Sequence, residues 1–373
     1  MKVAIVYDRV NKWGGAERLL LALHTIWPDA PLYTAVYDKQ GAPWANIFDV
    51  RTSFLQHIPF VRRHHELLAS FTPCAFESFS FDPYDVVISV TSAEAKGIIT
   101  KPHTCHICYC LTPTRYLWSG YQSYIENPGL GIWDGLAGTI LPRIVSPLRE
   151  WDTRAAQRPD YYLAISNHVA DRIKIYYNRK DEGVIYPPVD VLPRLPGSVA
   201  SGYYLAVSRL VGYKRLDIII DACNKLQLPL VIIGDGLDKS RLQSLAGPTI
   251  RFVTQYLTDA ELAAYYGRCR ALIITADEDF GITAVEAIAL GVGVIGYSQS
   301  GISEVVMDGK TGILFGSQTT ESLLRALKKF DTMHFDTIEQ EKTTKKFTGD
   351  RFNKEMQLMV EKLYRQYQRH YQL

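Results

Sequence analysis

The chain has 373 residues, too many for one ordinary hydrophobic core, so two domains are the first expectation. With 47% hydrophobic and 21% charged residues and no low-complexity tract, its composition is that of a globular protein. A net charge of +2 gives no electrostatic footprint for nucleic acid, and no apolar run reaches the roughly eighteen residues that a membrane span needs.

The opening "MKVAIVYDRV" is cut short by Asp8 and Arg9 and is followed by no small-residue cleavage site. It reads as a first β-strand, not a signal peptide, and the expected location is cytoplasmic. A glycine turn, "WGGAER", and an amphipathic helix, "AERLLLALHTIW", follow, with Gly14 and Gly15 expected to allow positive φ and a close backbone approach. Next come the strands "PLYTAVYD", "YDVVISV" and "HTCHICYC", each short, β-branched or aromatic, and bounded by turn residues. Between the first two, "FLQHIPFVRRHHELLASF" mixes apolar and basic residues and reads as a loop and helix. The segment "PRIVSPLREWDTRAAQRPDYYLAIS" reads as helix, turn and strand, and "NHVADRIKIYY" as a helix capped by Asn167.

Three of the six cysteines, Cys105, Cys108 and Cys110, crowd together with His103 and His106. Thiolates and imidazoles are zinc ligands, but strand alternation sends neighbouring side chains to opposite faces, and no second Cys/His pair lies downstream. Reduced cysteines in a core strand are the reading, and no metal is expected.

Around Tyr186 the texture changes: "YPPVDVLPRLPGSVASG" is proline-rich and aperiodic, which marks a boundary, with one domain over 1–186 and a second over 187–353. Strand and helix then alternate again: "YYLAVSRL", "RLDIIIDACNKL", "PLVIIGDG", "KSRLQSLA", "TIRFVTQ", "DAELAAYYGRC", "ALIITA", "GITAVEAIALG", "GVIGYS", "GILF" and "TTESLLRALKKF". Such alternation with apolar strands implies parallel sheets covered on both faces, so the expected architecture is two doubly wound α/β domains facing each other across a cleft. The last amphipathic helix, about 354–373, is expected to pack back on the first domain.

In open α/β sheets, ligands bind outside the carboxyl ends of the strands. "YYLAVSRL" ends at Arg209, with Lys214 five residues on, and two cations on one strand-end loop suit a diphosphate. A solvated basic loop has the same composition. "PLVIIGDG" ends in a glycine turn at Gly234 that lets backbone approach a ligand. In "DEDFGITAVE" the loop after "ALIITA" leads into a helix starting near Gly281, whose first N–H groups at Gly281, Ile282 and Thr283 attract phosphate oxygens. Glu278 precedes that helix and Glu286 lies inside it, with seven residues between them. An ionised carboxylate accepts two hydrogen bonds from sugar hydroxyls. Complementing the helix dipole accounts for Asp277 and Asp279 but poorly for Glu286 among apolar neighbours.

The string "EDFGITAVEA" resembles the E-x7-E motif of family 4 retaining glycosyltransferases, which have the GT-B architecture of two Rossmann-like domains. "GGAER", "VSRLVGYKR", "VIIGDG", "YLTDAELAAYYGRCRALIITA" and "SGISEVVMDGKTGILF" are similar to that family's phrases in the same order. "REWDTRAAQRPDYYLAISNHVADRI" and "VIYPPVD" resemble a subgroup whose bacterial members build mannose-containing O-antigen or exopolysaccharide.

The resemblance implies that Arg209 and Lys214 hold the donor diphosphate, and that Glu286 binds the ribose. Glu278 would touch the transferred sugar, above the backbone of Phe280, Gly281, Ile282 and Thr283. It implies that Gly15 lets its loop approach the pyrophosphate, that Thr112, Arg115 and Tyr116 lie on the acceptor side, and that neither metal nor cofactor is needed. One departure stands in "CYCLTPTRYLW", where the subgroup carries His and this chain has Leu111. Related enzymes use a surface such as Phe54–Leu68 to meet lipid-linked acceptors, so peripheral contact with the inner face of the cell membrane is implied. The expected function is transfer of a hexose, with retention, to a saccharide or lipid-linked saccharide in surface polysaccharide synthesis. GDP-mannose leads as donor, and a UDP-sugar is the alternative. A non-catalytic sugar-nucleotide binder is the competing class. A dinucleotide oxidoreductase is disfavoured by the lack of G-x-G-x-x-G after the first strand, and an epimerase or phosphorylase by the lack of a pyridoxal-lysine signature.

Overall fold

The computed structural model describes residues 1–58, 71–121, 134–190, 202–333, 335 and 337–371. The chain divides into two compact units. One draws on Met1–Glu126, Ile132–Pro188 and Gly349–Leu373, the other on Asn127–Gly131 and Val189–Thr348.

The first unit contains β1 (Val3–Tyr7), α1 (Gly15–Ile26), β2 (Leu32–Thr34), β3 (Val50–Thr52), α2 (Thr72–Glu77), β4 (Val86–Thr91) and β5 (Cys105–Cys110). It continues with α3 (Asp134–Ala155), β6 (Tyr161–Ala164) and α4 (Asn167–Tyr177). Its six strands form one parallel sheet in the order β3-β2-β1-β4-β5-β6. Strands β1, β4 and β5 are buried at every position, as expected of a parallel sheet covered on both faces. Cys105, Cys108 and Cys110 are buried in β5, and the His106 imidazole Nε2 lies 2.8 Å from the Ser89 hydroxyl of β4.

The second unit contains β7 (Tyr203–Val207), α5 (Leu216–Leu226), β8 (Leu230–Ile233), α6 (Lys239–Leu245), β9 (Ile250–Val253) and α7 (Asp259–Arg268). After these come β10 (Cys269–Ile274), α8 (Ile282–Ala289), β11 (Gly293–Tyr297), β12 (Gly312–Phe315), α9 (Thr320–Phe330) and α10 (Thr337–Thr344). Its strands are again all parallel, in the order β12-β11-β10-β7-β8-β9. Ile218, Ile219 and Ile220 of α5 are buried with Leu323 and Leu327 of α9 in its core. Burying each such side chain contributes roughly 1.5–3 kcal/mol. Helix α7 opens on a capping box in which Thr258 accepts from the Glu261 amide and Glu261 accepts from the Thr258 amide.

Helix α11 (Gly349–Tyr371) belongs to the first unit. Phe352, Met356, Val360, Leu363 and Tyr367 bury one stripe at helical spacing, and the Tyr367 hydroxyl donates to the Pro102 carbonyl at 2.8 Å.

Several local expectations are corrected. Ser166, not Asn167, caps α4, because its hydroxyl accepts from the Val169 amide at 3.0 Å while Asn167 is already helical. Gly14 is extended at φ −179° and neither it nor Gly15 takes positive φ. What crowds that position is Glu17, whose carboxylate would stand 3.0 Å from a Cβ at Gly14. Strand β2 stops at Thr34, and Tyr37 keeps only an isolated bridge to Val10. The short strand β3 and the helices α2 and α10 carry too little periodicity to be read from sequence. Of the basic segment assigned to membrane contact, Phe54–His57 form a 3-10 turn ended by Ile58, with Phe54 and Ile58 exposed, and residues 59–68 lie outside the described residues, as does most of the proline-rich boundary.

Both sheets reverse winding once, between β1 and β4 in the first unit and between β7 and β10 in the second. Such a switch point opens a crevice at the carboxyl ends of the strands.

Candidate functional site

At the second unit's switch point, the loop after β7 carries Arg209 and the 3-10 turn Gly212–Lys214. The loop after β10 carries Glu278. Lys214 Nζ donates to Glu278 Oε1 at 2.6 Å, with the two side chains 13% and 20% exposed. The reading from sequence gave these residues separate tasks, and the structure joins them. Arg209 is exposed and donates to the Tyr213 hydroxyl at 2.7 Å.

The cationic turn is pinned from below. Thr275, buried at the end of β10, donates to the carbonyls of Lys214 and Arg215 at 3.0 and 2.9 Å. Arg215 takes a left-handed conformation at φ +51°, and its guanidinium binds Asp217. Spacing alone gives no sign of Thr275, which looks like one more β-branched strand residue.

Two glycines are dictated by close approach. At Gly234, φ is +142° and a Cβ would meet the Ser208 carbonyl oxygen at 1.9 Å. At Gly281, which caps α8, φ is +103° and a Cβ would meet Ile302 at 2.2 Å. Ile282 and Thr283 are the half-buried first residues of α8. Phe280 is buried, its ring edge-on to Phe347 at 5.2 Å, and the Glu278 carbonyl accepts from the Gly301 amide at 2.7 Å. Glu286 is only 3% exposed on α8 and accepts from the Tyr266 hydroxyl of α7 at 3.2 Å. Tyr266 was not singled out from sequence, where it is one of two tyrosines on an amphipathic helix.

The remaining site residues are in the first unit. Gly15 is the exposed first residue of α1. Thr112 is buried, its hydroxyl 3.5 Å from the Arg172 guanidinium, and Arg115 is half-buried. Leu111 is half-buried and its amide donates to the Thr91 carbonyl of β4 at 2.8 Å. The Tyr116 hydroxyl donates to Glu94 Oε1, and Arg9 Nη2 lies 3.4 Å from Glu94 Oε2. Burial raises the Glu94 carboxyl above its ordinary range, partly opposed by the Arg9 charge.

Behind this group, Lys96 and Asp152 form a fully buried pair at 2.5 Å, completed by Thr114 and by the Trp118 indole, which donates to Asp152 at 2.7 Å. Arg9, Glu94, Lys96 and Asp152 escaped the sequence reading. Applying the strand-end rule to "YDRV" and "VTSAEAK" would have found the first three.

Residues 199–346 match the family described as Glycosyl transferases group 1. A GDP-mannose-dependent alpha-mannosyltransferase of Mycolicibacterium smegmatis is 35% identical over 121 residues, covering 32% of each chain. An uncharacterized glycosyltransferase of Methanocaldococcus jannaschii is 26% identical over 155 residues, 40% of this chain and 41% of the relative. The chain thus spans less than half the length of these relatives. Over nearly its full length it superposes on the structure of HepE from Anabaena in complex with UDP-glucose, with a TM-score of 0.70 at 18% identity, covering 97% of this chain and all of the other. The two parallel six-stranded sheets and this likeness establish the GT-B fold.

Proposed function

We propose that the chain is a glycosyltransferase that moves a hexose from a sugar nucleotide to a saccharide or lipid-linked saccharide, with retention and without a metal. The observation that carries this reading is the switch point of the second unit. There Arg209 and the Lys214–Glu278 pair stand on neighbouring strand-end loops, and the loop after β8 packs against the Ser208 carbonyl so closely at Gly234 that only glycine fits. Arg209 and Lys214 supply positive charge for the donor diphosphate, and stabilise it most as the bond to the sugar breaks. Glu278, beside Lys214, addresses the hydroxyls of the transferred sugar, and Glu286, fixed by Tyr266, accepts from the ribose. Catalysis is then positioning together with electrostatic stabilisation of the leaving phosphate.

GDP-mannose is the preferred donor, supported by the mannosyltransferase matched in part, with a UDP-sugar as the alternative, supported by the UDP-glucose complex of HepE. The competing reading, a sugar-nucleotide binder without transfer, is favoured by Leu111, which donates no hydrogen bond from its side chain. The experiment is a thermal-shift screen of nucleotide sugars, since a ligand of the folded state raises its apparent stability, followed by assays of donor hydrolysis and transfer. Glu286→Ala is expected to weaken nucleotide binding; unchanged donor affinity in that variant would remove the ribose role. Binding without hydrolysis or transfer would favour the non-catalytic reading.

A further inference from the structure

A further concavity lies at the edge of the second unit's sheet, away from the switch point. Strand β12 is the edge strand, separated from β10 by β11, which puts it about 10 Å from β10. Between β12 and α9 is a cleft of about 330 Å³, within the size range of small-molecule sites. Arg209, Lys214 and Glu278 do not line it.

Helical spacing builds one wall. Ser322, Arg325, Ala326 and Lys329 share a face of α9 and line the cleft, while Leu323, Leu327 and Phe330 turn the opposite face into the core. The other wall is β12 and the turn after it, from Ile313 to Ser317. What these walls offer is hydrogen-bond donors. Ser322 is only 6% exposed, and among the described residues its hydroxyl has no hydrogen-bond partner, its amide being the group held by Thr319. Among the described residues the Gly316 and Ser317 amides and the Arg325 guanidinium are likewise unpaired.

The charges around the cleft select an anion. No carboxylate lines it. Asp308, beyond the lining, lies 3.4 Å from Lys329 and accepts from the Leu314 amide at 2.8 Å. Glu321 on α9 lies 4.0 Å from Lys225, and Asp331 at the end of α9 lies 2.7 Å from Arg270. Each of these acids thus faces a cation of its own, which leaves Arg325 and Lys328 over, and of those two Arg325 lines the cleft. A guanidinium fork beside a hydroxyl and two amides matches the oxygens of a phosphate group. A lone phosphate would not fill the space, and Ile313, Phe315 and Ala326 add apolar surface for an organic remainder.

We propose that the cleft between β12 and α9 binds the phosphate group of a small phosphate ester. Arg325 and Lys329 supply the charge, and the Ser322 hydroxyl with the Gly316 and Ser317 amides donates to the remaining oxygens. Because Arg325 stands outside the donor machinery, this inference is independent of the glycosyltransferase reading.

The test is calorimetric titration of the full chain with glycerol 3-phosphate, inorganic phosphate and, as an uncharged control, glycerol. Both anions are expected to bind and glycerol not to. Tighter binding of the ester identifies an esterified ligand and equal binding the free anion, and either supports the phosphate site. Arg325→Gln is expected to weaken binding about tenfold, and Lys329→Gln about threefold, since Asp308 already draws on that lysine. Ser322→Ala should also cost about threefold. Arg209→Gln should change the affinity less than twofold, and unchanged far-ultraviolet circular dichroism checks that each variant folds. The proposal is overturned if neither anion binds below about 20 mM, or if Arg325→Gln binds as wild type does. It is equally overturned if binding is lost in Arg209→Gln instead, which would place the anion at the switch point.

Discussion

Replacing Glu278 with glutamine tests whether the Lys214–Glu278 pair competes with a bound diphosphate. Glutamine has nearly the same shape and keeps an oxygen to accept from Lys214, but removes the negative charge. With side chains 13% and 20% exposed, the pair lies between a surface ion pair, worth about 0.2–1 kcal/mol, and a buried one. Freeing Lys214 should therefore make about 1 kcal/mol available to a diphosphate, a gain of about fivefold in affinity. Isothermal titration of GDP and UDP into wild type and Glu278→Gln measures it, with the bare nucleosides as controls that should not respond. Raising the salt should shrink the difference, because the pair is not fully buried. Transfer should fall in the same variant, since the group facing the sugar has lost its charge. Unchanged or weaker nucleoside diphosphate binding would refute the argument, and would mean that Glu278 serves to anchor its own loop.

Three further outcomes are expected. His106, buried against Ser89, is held neutral by burial and by Arg179 and Arg158, its pKa pushed down to about 3. Only the unfolded chain then takes up a proton as pH falls below about 6.5, so the contribution is complete above that value and is lost between about 6.5 and 3. Urea denaturation of the first unit should show about 2 kcal/mol lost between pH 8 and pH 5 through this group, a loss absent from His106→Gln. Lys96→Met leaves Asp152 charged and unpaired in the core and should cost about 3–5 kcal/mol; Lys96→Met with Asp152→Leu should recover part of it, and equal melting of the two variants would contradict this. Leu111→His should raise transfer, or at least preserve it, if the pocket resembles that of the related enzymes; abolished turnover with intact donor binding would count against the resemblance.

The parallel sheets were readable because each buried strand is a short apolar run ending in turn residues, as in "PLVIIGDG" and "ALIITA". Strand β3 was missed because Val50–Thr52 is half-exposed and ends in a threonine, with no run to notice. At the second switch point the individual residues were legible and their pairing was not. Lys214 and Glu278 are 64 positions apart, and nothing local reveals that Thr275 holds the carbonyls of the cationic turn. Tyr266 illustrates the same limit, since a tyrosine holding a buried carboxylate looks like any tyrosine on an amphipathic helix. In the first unit the clues lay in plain sight as strand-end charges at Arg9 and Glu94, but their meaning depends on which strands are neighbours.

Helix α11 also sets the order in which the protein can be assembled. Its Tyr367 docks beside Pro102, 265 positions earlier, so the first unit stays open until the whole second unit has been synthesised. At ribosomal speeds of about 5–20 residues per second, the intervening Val189–Thr348 imposes a delay on the order of ten to thirty seconds. Throughout that interval the surface that will receive Phe352, Met356, Val360 and Leu363 lacks its cover. The nascent chain thus carries an apolar seam while the second unit is being made, a place where a holdase would engage and where crowded expression would first produce aggregates.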